Sequence, residues 1–457
     1  MKRLSVPSWI AKDIALSSEI LHLASPVVLG MASITAIGVT DTIMVGRLGA
    51  ASLAAAGLAA MIVWAVHWMT RSVEISVQAL AARRYGEGRP DQCGKVLDNA
   101  LVLSLALSAC CAVGLFFGGR GILSAMSSYG EVIDLADGYI KILSLALWSS
   151  ATVFAMRGFF SGIGKTRVFF ASAALMLAVN VVANYAFIFG KLGMPAMGVR
   201  GAAVGSLLAF AAAFVFMIGY ILGWYGRNFR QEFGIFKISN IDVSAIQELA
   251  RLAGPNALRG IMVIGGLLVF YAMVDKLDVV QVAVVNVVLN IQSISFMPGH
   301  GFGVAAATVI SQNLGGKNPL RAEQAGYEAL RLAMLFMGAL GLVFLLVPEW
   351  VIRLFTTDSE VIGDAVFPLR LVGVVQTLDA AGMVFSSALE GAGNTRWVMA
   401  AEIAVNWGVF LPLTWLFTFS FGLGRFGPWM AWATYLTVFG IWCWLKYRKG
   451  EWKMIKI

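Results

Sequence analysis

Asp41 is the only acidic residue in a long apolar stretch near the start of the chain. Between Leu21 and Val45 there is no other acid and no Lys or Arg. A helix rising ~1.5 Å per residue would carry this stretch across a hydrocarbon core of ~30 Å. A charged side chain at that depth costs roughly 2.5–3.5 kcal/mol on insertion scales, so its presence there indicates a function. A carboxyl group so placed can exchange a proton or, with other oxygens beside it, bind Na⁺.

Three further polar residues follow in the next apolar stretch. His67, Arg71 and Glu74 are spaced i, i+4 and i+7, so they project from one face of a helix. Arg71 and Glu74 can neutralise each other as a structural ion pair. Alternatively, the three side chains line a polar cleft in which His67 titrates near neutral pH. The sequence leaves both interpretations open.

Asp379 is a second isolated acid, in the middle of a later apolar stretch. It either hydrogen-bonds a neighbouring helix or binds a cationic substrate or a second proton. Arg259 lies close to the end of another apolar stretch. We expect it to extend toward the membrane surface or to pair with an acid.

The composition is that of a membrane protein. Of 457 residues, 59% are hydrophobic and 13% are charged, and the mean hydropathy is +0.80, whereas about 25% of the residues of a soluble domain are charged. The net charge of +9 arises mainly in the segments between apolar runs, where it sets membrane orientation, so no nucleic-acid partner is needed to explain it. The four cysteines predict neither a disulfide framework nor a CxxC metal site.

Twelve apolar runs indicate twelve transmembrane helices. The runs are too long for barrel strands and lack their alternation, so the predicted fold is an all-α polytopic bundle. They span residues 21–46, 52–81, 97–118, 138–162, 168–190, 201–224, 250–274, 279–312, 326–347, 366–389, 397–419 and 427–445.

The two halves of the chain are related by an internal repeat. Pro26 in LASP and Pro255 in LAGP are 229 residues apart, and the same offset relates Gly162 to Gly391. After a shift of three residues, an offset of 226 relates Asn180 to Asn406. Because each half holds six spans, the halves share one orientation, which predicts two six-helix lobes related by a parallel pseudo-two-fold axis around a central cleft.

The predicted organisation has five parts. Lys and Arg are far more numerous in the segments on the side of the N-terminus, so we expect both termini to be cytoplasmic in a multi-pass protein of the plasma (inner) membrane. The parts are a cytoplasmic amphipathic lead (1–20), an N-terminal lobe (21–224), a cytoplasmic linker (225–249), a C-terminal lobe (250–446) and a basic cytoplasmic tail (447–457).

Five sequence motifs resemble those of the multidrug and toxic compound extrusion (MATE) family. The resemblance covers essentially the whole chain, in order. It implies a secondary active antiporter that exports organic, often cationic and aromatic, compounds in exchange for H⁺ or Na⁺ by alternating access. The motifs are TDTIMVGRLGAASLAAAGL (Thr40–Leu58), ARRYGEGRPD (Ala82–Asp91), RGFFSGIGKT (Arg157–Thr166), NVVANYAFIFGKLG (Asn180–Gly193) and ALEGAGNT (Ala388–Thr395).

The resemblance also implies roles for individual residues. Asp41 matches the coupling Asp of span 1 in the N-terminal lobe, and Asp379 matches an Asp of span 10. The family's N-lobe Na⁺ site would be formed here by Asp41, Asn180, Asn184 and Ser206. Asn184 stands where some members have a second Asp, which weakens a Na⁺ assignment and leaves proton coupling open. Val263 stands where one branch carries a partner Glu in span 7, which argues against a C-lobe cation site of that kind.

Two other functions compete with this expectation. A lipid-linked sugar flippase of related architecture would need a strongly basic cavity, but intramembrane Arg residues are few. An integral membrane lipid-modifying enzyme would need paired acidic motifs for Mg²⁺ or a catalytic His, and neither DxxxD nor HExxH is found. We therefore expect a monomeric transporter, not an enzyme, whose partners are small organic substrates and the lipid bilayer, with no cofactor other than its coupling ion.

Overall fold

The computed structural model describes residues 13–224 and 228–457, which are almost entirely helical and contain no β-strand. The predicted all-helical fold is confirmed. The helices are α1 (Ile14–Gly46), α2 (Ala50–Gly86), α3 (Pro90–Met126), α4 (Gly130–Gly162), α5 (Thr166–Phe189), α6 (Val199–Leu222), α7 (Phe229–Phe233), α8 (Val243–Asp275), α9 (Val279–Gly315), α10 (Pro319–Leu346), α11 (Pro348–Arg353), α12 (Ser359–Gly391), α13 (Thr395–Val405), α14 (Leu411–Trp415) and α15 (Gly427–Lys449).

Within the described residues, eleven helical stretches are long and apolar enough to cross a membrane. One of them, Thr395–Ser420, consists of α13, a π-helical turn (Asn406–Phe410), α14 and a second π-helical turn (Leu416–Ser420). Pro412, which has no N–H to donate, is the second residue of α14 and lies between these two turns. The twelfth predicted span corresponds to α15, which has 23 residues.

The chain folds into two compact units. One contains the described residues up to Val28 together with Leu258–Ile457, and the other contains Leu29–Ala257. Both boundaries lie inside long helices, α1 and α8, two residues beyond Pro26 and Pro255. The start of α1 therefore packs with the C-terminal helices, where Arg321 Nη2 lies 2.9 Å from Glu19 Oε2. Of the predicted lead, residues 14–20 form the first turns of α1, and residues 1–12 lie outside the described part of the chain.

Close helix contacts reproduce the sequence repeat inside each unit. A Cβ on Gly162 of α4 would lie 2.8 Å from the Gln78 carbonyl oxygen of α2, and a Cβ on Gly391 of α12 would lie 2.7 Å from the Ala307 carbonyl oxygen of α9. Both glycines and both partners are related by the offset of 229. Small residues at such positions let membrane helices approach closely where van der Waals packing drives association.

The linker segment after residue 228 is bound to the end of α3. Asp98 of α3 accepts hydrogen bonds from the backbone N–H groups of Phe236 (2.9 Å) and Lys237 (3.2 Å) and from Asn240 Nδ2 (2.7 Å). A Cβ on Gly94 would lie 1.9 Å from the Phe233 carbonyl oxygen, so only glycine permits this contact. Of the predicted linker 225–249, residues 225–227 lie outside the described part of the chain, and residues 243–249 begin α8.

An ion pair beside this contact persists at low pH. Lys95 Nζ lies 2.7 Å from Asp242 Oδ2. This hydrogen bond, with those from Ser244, lowers the pKa of Asp242 to about 2, below its ordinary value of about 4. The contribution of the carboxylate to stability is therefore complete above about pH 4 and is lost only as the pH falls toward 2.

We expect Asp98→Ala to release the linker segment. The substitution removes three hydrogen bonds to a buried carboxylate, and bonds to charged groups are worth about 1.5–3 kcal/mol each. Trypsin cleavage after Arg230 and Lys237 should therefore become several-fold faster in the variant. Asp91→Ala, at an exposed position of the same helix, serves as the control and should leave the rate unchanged. Equal cleavage rates in wild type and Asp98→Ala would contradict the assignment.

Candidate functional site

Asp41 of α1 meets two asparagines of α5. Asn180 and Asn184 are one helical turn apart, so their amides project from the same face of α5. Asn184 Nδ2 donates to Asp41 Oδ1 at 2.5 Å and lies 3.1 Å from Asn180 Oδ1. Both asparagines are fully buried. The structure thus brings together three of the four residues predicted for the N-lobe site.

The remaining contacts of the site come from α6 and α4. Gly205 packs against the amide of Asn184 so closely that a Cβ there would lie 2.0 Å from Asn184 Oδ1. Ser206 follows Gly205 and makes no hydrogen bond to the other three residues in the described part of the chain. Tyr139 of α4, which is buried, lies within electrostatic range of Asp41. Tyr139 could not be found from the sequence, because a tyrosine in an apolar span carries no distinguishing pattern.

Two buried polar atoms at the site have no protein partner. They are Asn180 Nδ2 and Asn184 Oδ1. As oriented, Asn184 presents an N–H donor to Asp41, which suits a carboxylate that alternates between ionised and protonated forms. Na⁺ would require oxygen ligands, so the Asn184 amide would have to rotate to turn Oδ1 toward it. The described residues contain no cluster of three or more His, Cys, Asp or Glu side chains suited to a metal ion.

The same position in the other unit is aromatic. The offsets of 229 and 226 give the counterparts of Asp41, Asn180, Asn184 and Ser206, which are Phe270, Asn406, Phe410 and Trp432. The Phe270 ring lies 5.0 Å from that of Phe410 and 5.8 Å from that of Trp432. Three of the four counterparts thus form an aromatic cluster, and Asn406 alone keeps the residue type found in the N-terminal unit.

A second polar cluster lies between α2 and α4. The predicted ion pair is present, with Arg71 Nε 3.4 Å from Glu74 Oε2. His67 does not join it; its ring lies 5.7 Å from Phe154 and 5.5 Å from Phe210. Arg157 of α4, which the sequence analysis did not single out, is buried with its guanidinium within electrostatic range of Glu74.

Arg157 is held by polarisable and aromatic groups. Its Nη2 lies 3.0 Å from Met176 Sδ, and its guanidinium carbon lies 4.8 Å from the centre of the Phe169 ring. Such cation–π contacts stabilise a guanidinium that has left water. An Arg in the interior of an apolar run was the signal that could have identified it.

A third polar cluster lies in the C-terminal unit. Arg259 Nη1 of α8 is 2.7 Å from Glu390 Oε1 of α12 and 3.5 Å from Glu402 Oε2 of α13. Arg259 therefore pairs with acidic side chains, which is one of the two arrangements predicted for it. Tyr435 of α15 donates to Glu402 Oε1 at 3.0 Å, and Asp379 is buried within electrostatic range of Glu402. Neither Glu390 nor Glu402 was singled out from the sequence.

These features define a class of protein. An all-helical membrane protein with two repeated halves, and with an intramembrane carboxylate (Asp41) at a position that is Phe270 in the other half, has the design of a polytopic secondary transporter. The family model described as MatE matches residues 26–186 and 255–416, which are the two copies of the repeat. The chain belongs to the MATE family.

Individual relatives agree with this assignment. The "Probable multidrug resistance protein NorM" of Thermotoga maritima is 25% identical over 413 residues, covering 90% of this chain and 88% of that protein. The protein of the same name from Mesorhizobium japonicum is 29% identical over 438 residues, with 92% and 90% covered. These relatives are transporters, so the alternative of a lipid-modifying enzyme is set aside.

A solved structure supports the fold. It is described as the outward-facing conformation of a multidrug resistance MATE family transporter. It matches with a TM-score of 0.87 at 22% identity and covers 95% of each chain.

Proposed function

We propose that this protein exports organic, cationic and aromatic compounds in exchange for H⁺ or Na⁺, with coupling seated on Asp41. Relatives that span about nine-tenths of the chain carry the name multidrug resistance protein, which supports export of small organic substrates. The observation that carries the coupling proposal is the hydrogen bond from the buried Asn184 to Asp41, with the buried Asn180 bonded to Asn184 in turn. The N–H group that Asn184 turns toward Asp41 favours H⁺ over Na⁺.

Coupling requires that the ion and the substrate favour different states of the transporter. A ligand shifts a conformational equilibrium only by its difference in affinity for the two states. A proton on Asp41 turns it from an acceptor of the Asn184 N–H bond into a group that also donates. Uptake of the proton therefore rearranges the contact between α1 and α5, and this rearrangement would bias the protein toward release of substrate.

The other predicted site residues, on α2 and α12, are proposed to bind substrate or a second ion. Arg71 and Glu74 form an ion pair on α2, and His67 lies among aromatic rings one turn away. We propose that this face contributes to substrate binding and that Asp379 provides a second coupling position. The protein would act as a monomer in the plasma membrane with both termini cytoplasmic.

The coupling ion is tested with purified protein in proteoliposomes. Substrate uptake into vesicles is measured under an imposed pH gradient, under an imposed Na⁺ gradient, and with neither. We expect the pH gradient to drive uptake and substrate addition to move protons in the opposite direction. Uptake driven by Na⁺ alone would reassign the ion to Na⁺ bound by Asp41, Asn180, Asn184 and Ser206. Transfer of a lipid-linked sugar without any export of organic cations would support the flippase alternative instead.

A further inference from the structure

Gly205 of α6 lies against the carboxamide of Asn184, and a larger residue does not fit there. An ideal Cβ at Gly205 would lie 2.0 Å from Asn184 Oδ1, 3.0 Å from its Cγ and 3.3 Å from its backbone nitrogen. A half-turn of the carboxamide would not relieve this overlap, because it exchanges Oδ1 for Nδ2 and leaves Cγ in place. With a methyl group at position 205, the whole side chain of Asn184 would have to withdraw.

The orientation of Asn184 is set from both sides. Its Nδ2 atom faces two acceptors, Asp41 Oδ1 at 2.5 Å and Asn180 Oδ1 at 3.1 Å. Its Oδ1 atom lies against Gly205, is buried and has no hydrogen-bond partner in the described part of the chain. The reverse orientation would turn Asn184 Oδ1 toward the Asp41 carboxylate, and two oxygens without a proton between them repel each other. The glycine therefore leaves room for the amide, and the acceptors turn its N–H groups toward Asp41.

The internal repeat separates this role of Gly205 from helix packing. The offset of 226 that relates Asn184 to Phe410 also relates Gly205 to Ala431. Ala431 is fully buried in α15. This position of the helix therefore accepts a methyl group in the half of the chain that has no asparagine at the position of Asn184.

A second glycine of α6 provides the contrast. An ideal Cβ at Gly201, one turn before Gly205, would lie 2.4 Å from the backbone carbonyl oxygen of Phe187. The same offset relates Gly201 to Gly427, whose ideal Cβ would lie 2.6 Å from the backbone nitrogen of Thr418. Glycine is thus kept in both halves where the helix approaches backbone atoms. It is not kept where the helix approaches a side chain that differs between the halves.

We propose that Gly205 is a positioning residue of the coupling site, which holds the N–H group of Asn184 on Asp41 and keeps Asn184 Oδ1 turned away from the carboxylate. The site then offers Asp41 a hydrogen-bond donor, which suits exchange of a proton, and withholds an oxygen atom that Na⁺ would need as a ligand. Gly205 thereby contributes to the choice of ion. This effect on transport rests on the proposed antiport at Asp41, whereas the positioning of the amide does not.

The position of the amide is measured without transport. NMR spectra are recorded of purified protein labelled with ¹⁵N in the asparagine carboxamides, and the Asn184 signal is the one missing from Asn184→Ala. We expect Gly205→Ala to displace this signal and to abolish its change with pH, which in the wild type follows the proton on Asp41. Gly38→Ala adds a methyl group one turn before Asp41, where no atom lies within 4 Å, and should leave the signal unchanged.

Ion-driven uptake in proteoliposomes tests the effect on coupling. We expect Gly205→Ala to lower uptake driven by a pH gradient several-fold, to the level of Asn184→Ala. Adding Gly205→Ala to Asn184→Ala should cause no further loss. Without the amide, the atom nearest to the new Cβ is the backbone nitrogen of residue 184 at 3.3 Å. A glycine needed only for packing would cause the same fractional loss in both backgrounds, since independent effects add.

Three outcomes would overturn the proposal. The first is an Asn184 signal in Gly205→Ala that coincides with that of the wild type at every pH. The second is an equal fractional loss of uptake in the two backgrounds. The third concerns folding: if Gly205→Ala alone is not recovered as folded protein, the double variant with Asn184→Ala should be, and failure of both would assign the glycine to packing. Wild-type export by Asp41→Asn together with a displaced signal in Gly205→Ala would contradict the antiport proposal alone.

Discussion

Asp41→Asn is expected to lower substrate export to the level of vesicles without protein, while insertion and folding stay intact. Asn has nearly the size of Asp and can still contact Asn184, so packing between α1 and α5 is preserved. It cannot exchange a proton and carries no charge for Na⁺, so a gradient of either ion can no longer be converted into substrate movement. The measurements are drug resistance of cells carrying the variant and gradient-driven uptake in proteoliposomes.

Two comparisons separate coupling from packing at this site. Asp275→Asn removes an exposed acid at the end of α8 and should leave export unchanged. Asn184→Ala keeps the carboxyl group of Asp41 but removes its hydrogen-bond donor, so we expect export to be weakened without being lost. Wild-type export by Asp41→Asn at equal expression would show that coupling lies elsewhere.

Gly158→Val is expected to destabilise the N-terminal unit more than any other single change discussed here. A Cβ at Gly158 of α4 would lie 2.3 Å from the carbonyl oxygen of Glu74 and 3.0 Å from its carbonyl carbon. These are backbone atoms of α2, which cannot rotate away as a side chain can, so the two helices must separate. Overpacking of this kind costs about 1–3 kcal/mol and occasionally more. The measurement is thermal unfolding of the purified protein in detergent.

The matched control is a glycine without neighbours. Gly114 of α3 has no atom within 4 Å of its ideal Cβ position, so Gly114→Val should change the unfolding temperature little. Because Gly158 lies next to the carbonyl of Glu74, its substitution should also disturb the Arg71–Glu74 ion pair. Equal unfolding temperatures for the two valine variants would show that α2 and α4 are not in close contact at Gly158.

The contact at Gly158 shows how the repeat has diverged. The offset of 229 relates Gly158 to Ser387 and Glu74 to Gly303. In the C-terminal unit the glycine is on the other helix, and a Cβ on Gly303 would lie 2.6 Å from Ser387 Oγ. Close approach of the two helices is thus retained in both units, but the small residue that permits it has moved to the partner helix.

The sequence by itself determined the helical class of the fold, the repeat and the isolated position of Asp41 in its span. Apolar runs of membrane length have few alternatives to a helix, because every backbone polar group must find a partner within the segment. A carboxylate inside such an apolar run can be recognised from the sequence even when its partners are unknown. The family resemblance added Asn180 and Asn184; in the structure Asn184 hydrogen-bonds Asp41 and also contacts Asn180.

Only the tertiary structure decided which charges meet. Arg259, Glu390 and Glu402 lie on three different helices, and no spacing along the chain relates an ion pair that forms between helices. The glycines at 158 and 162 do carry the small-residue spacing of close helix packing, but which helix they face depends on how α2 and α4 are arranged. Whether a membrane segment is helical depends on the residues of that segment alone. Which buried charges pair depends on which segments are neighbours in the fold, and the order of residues along the chain does not specify this.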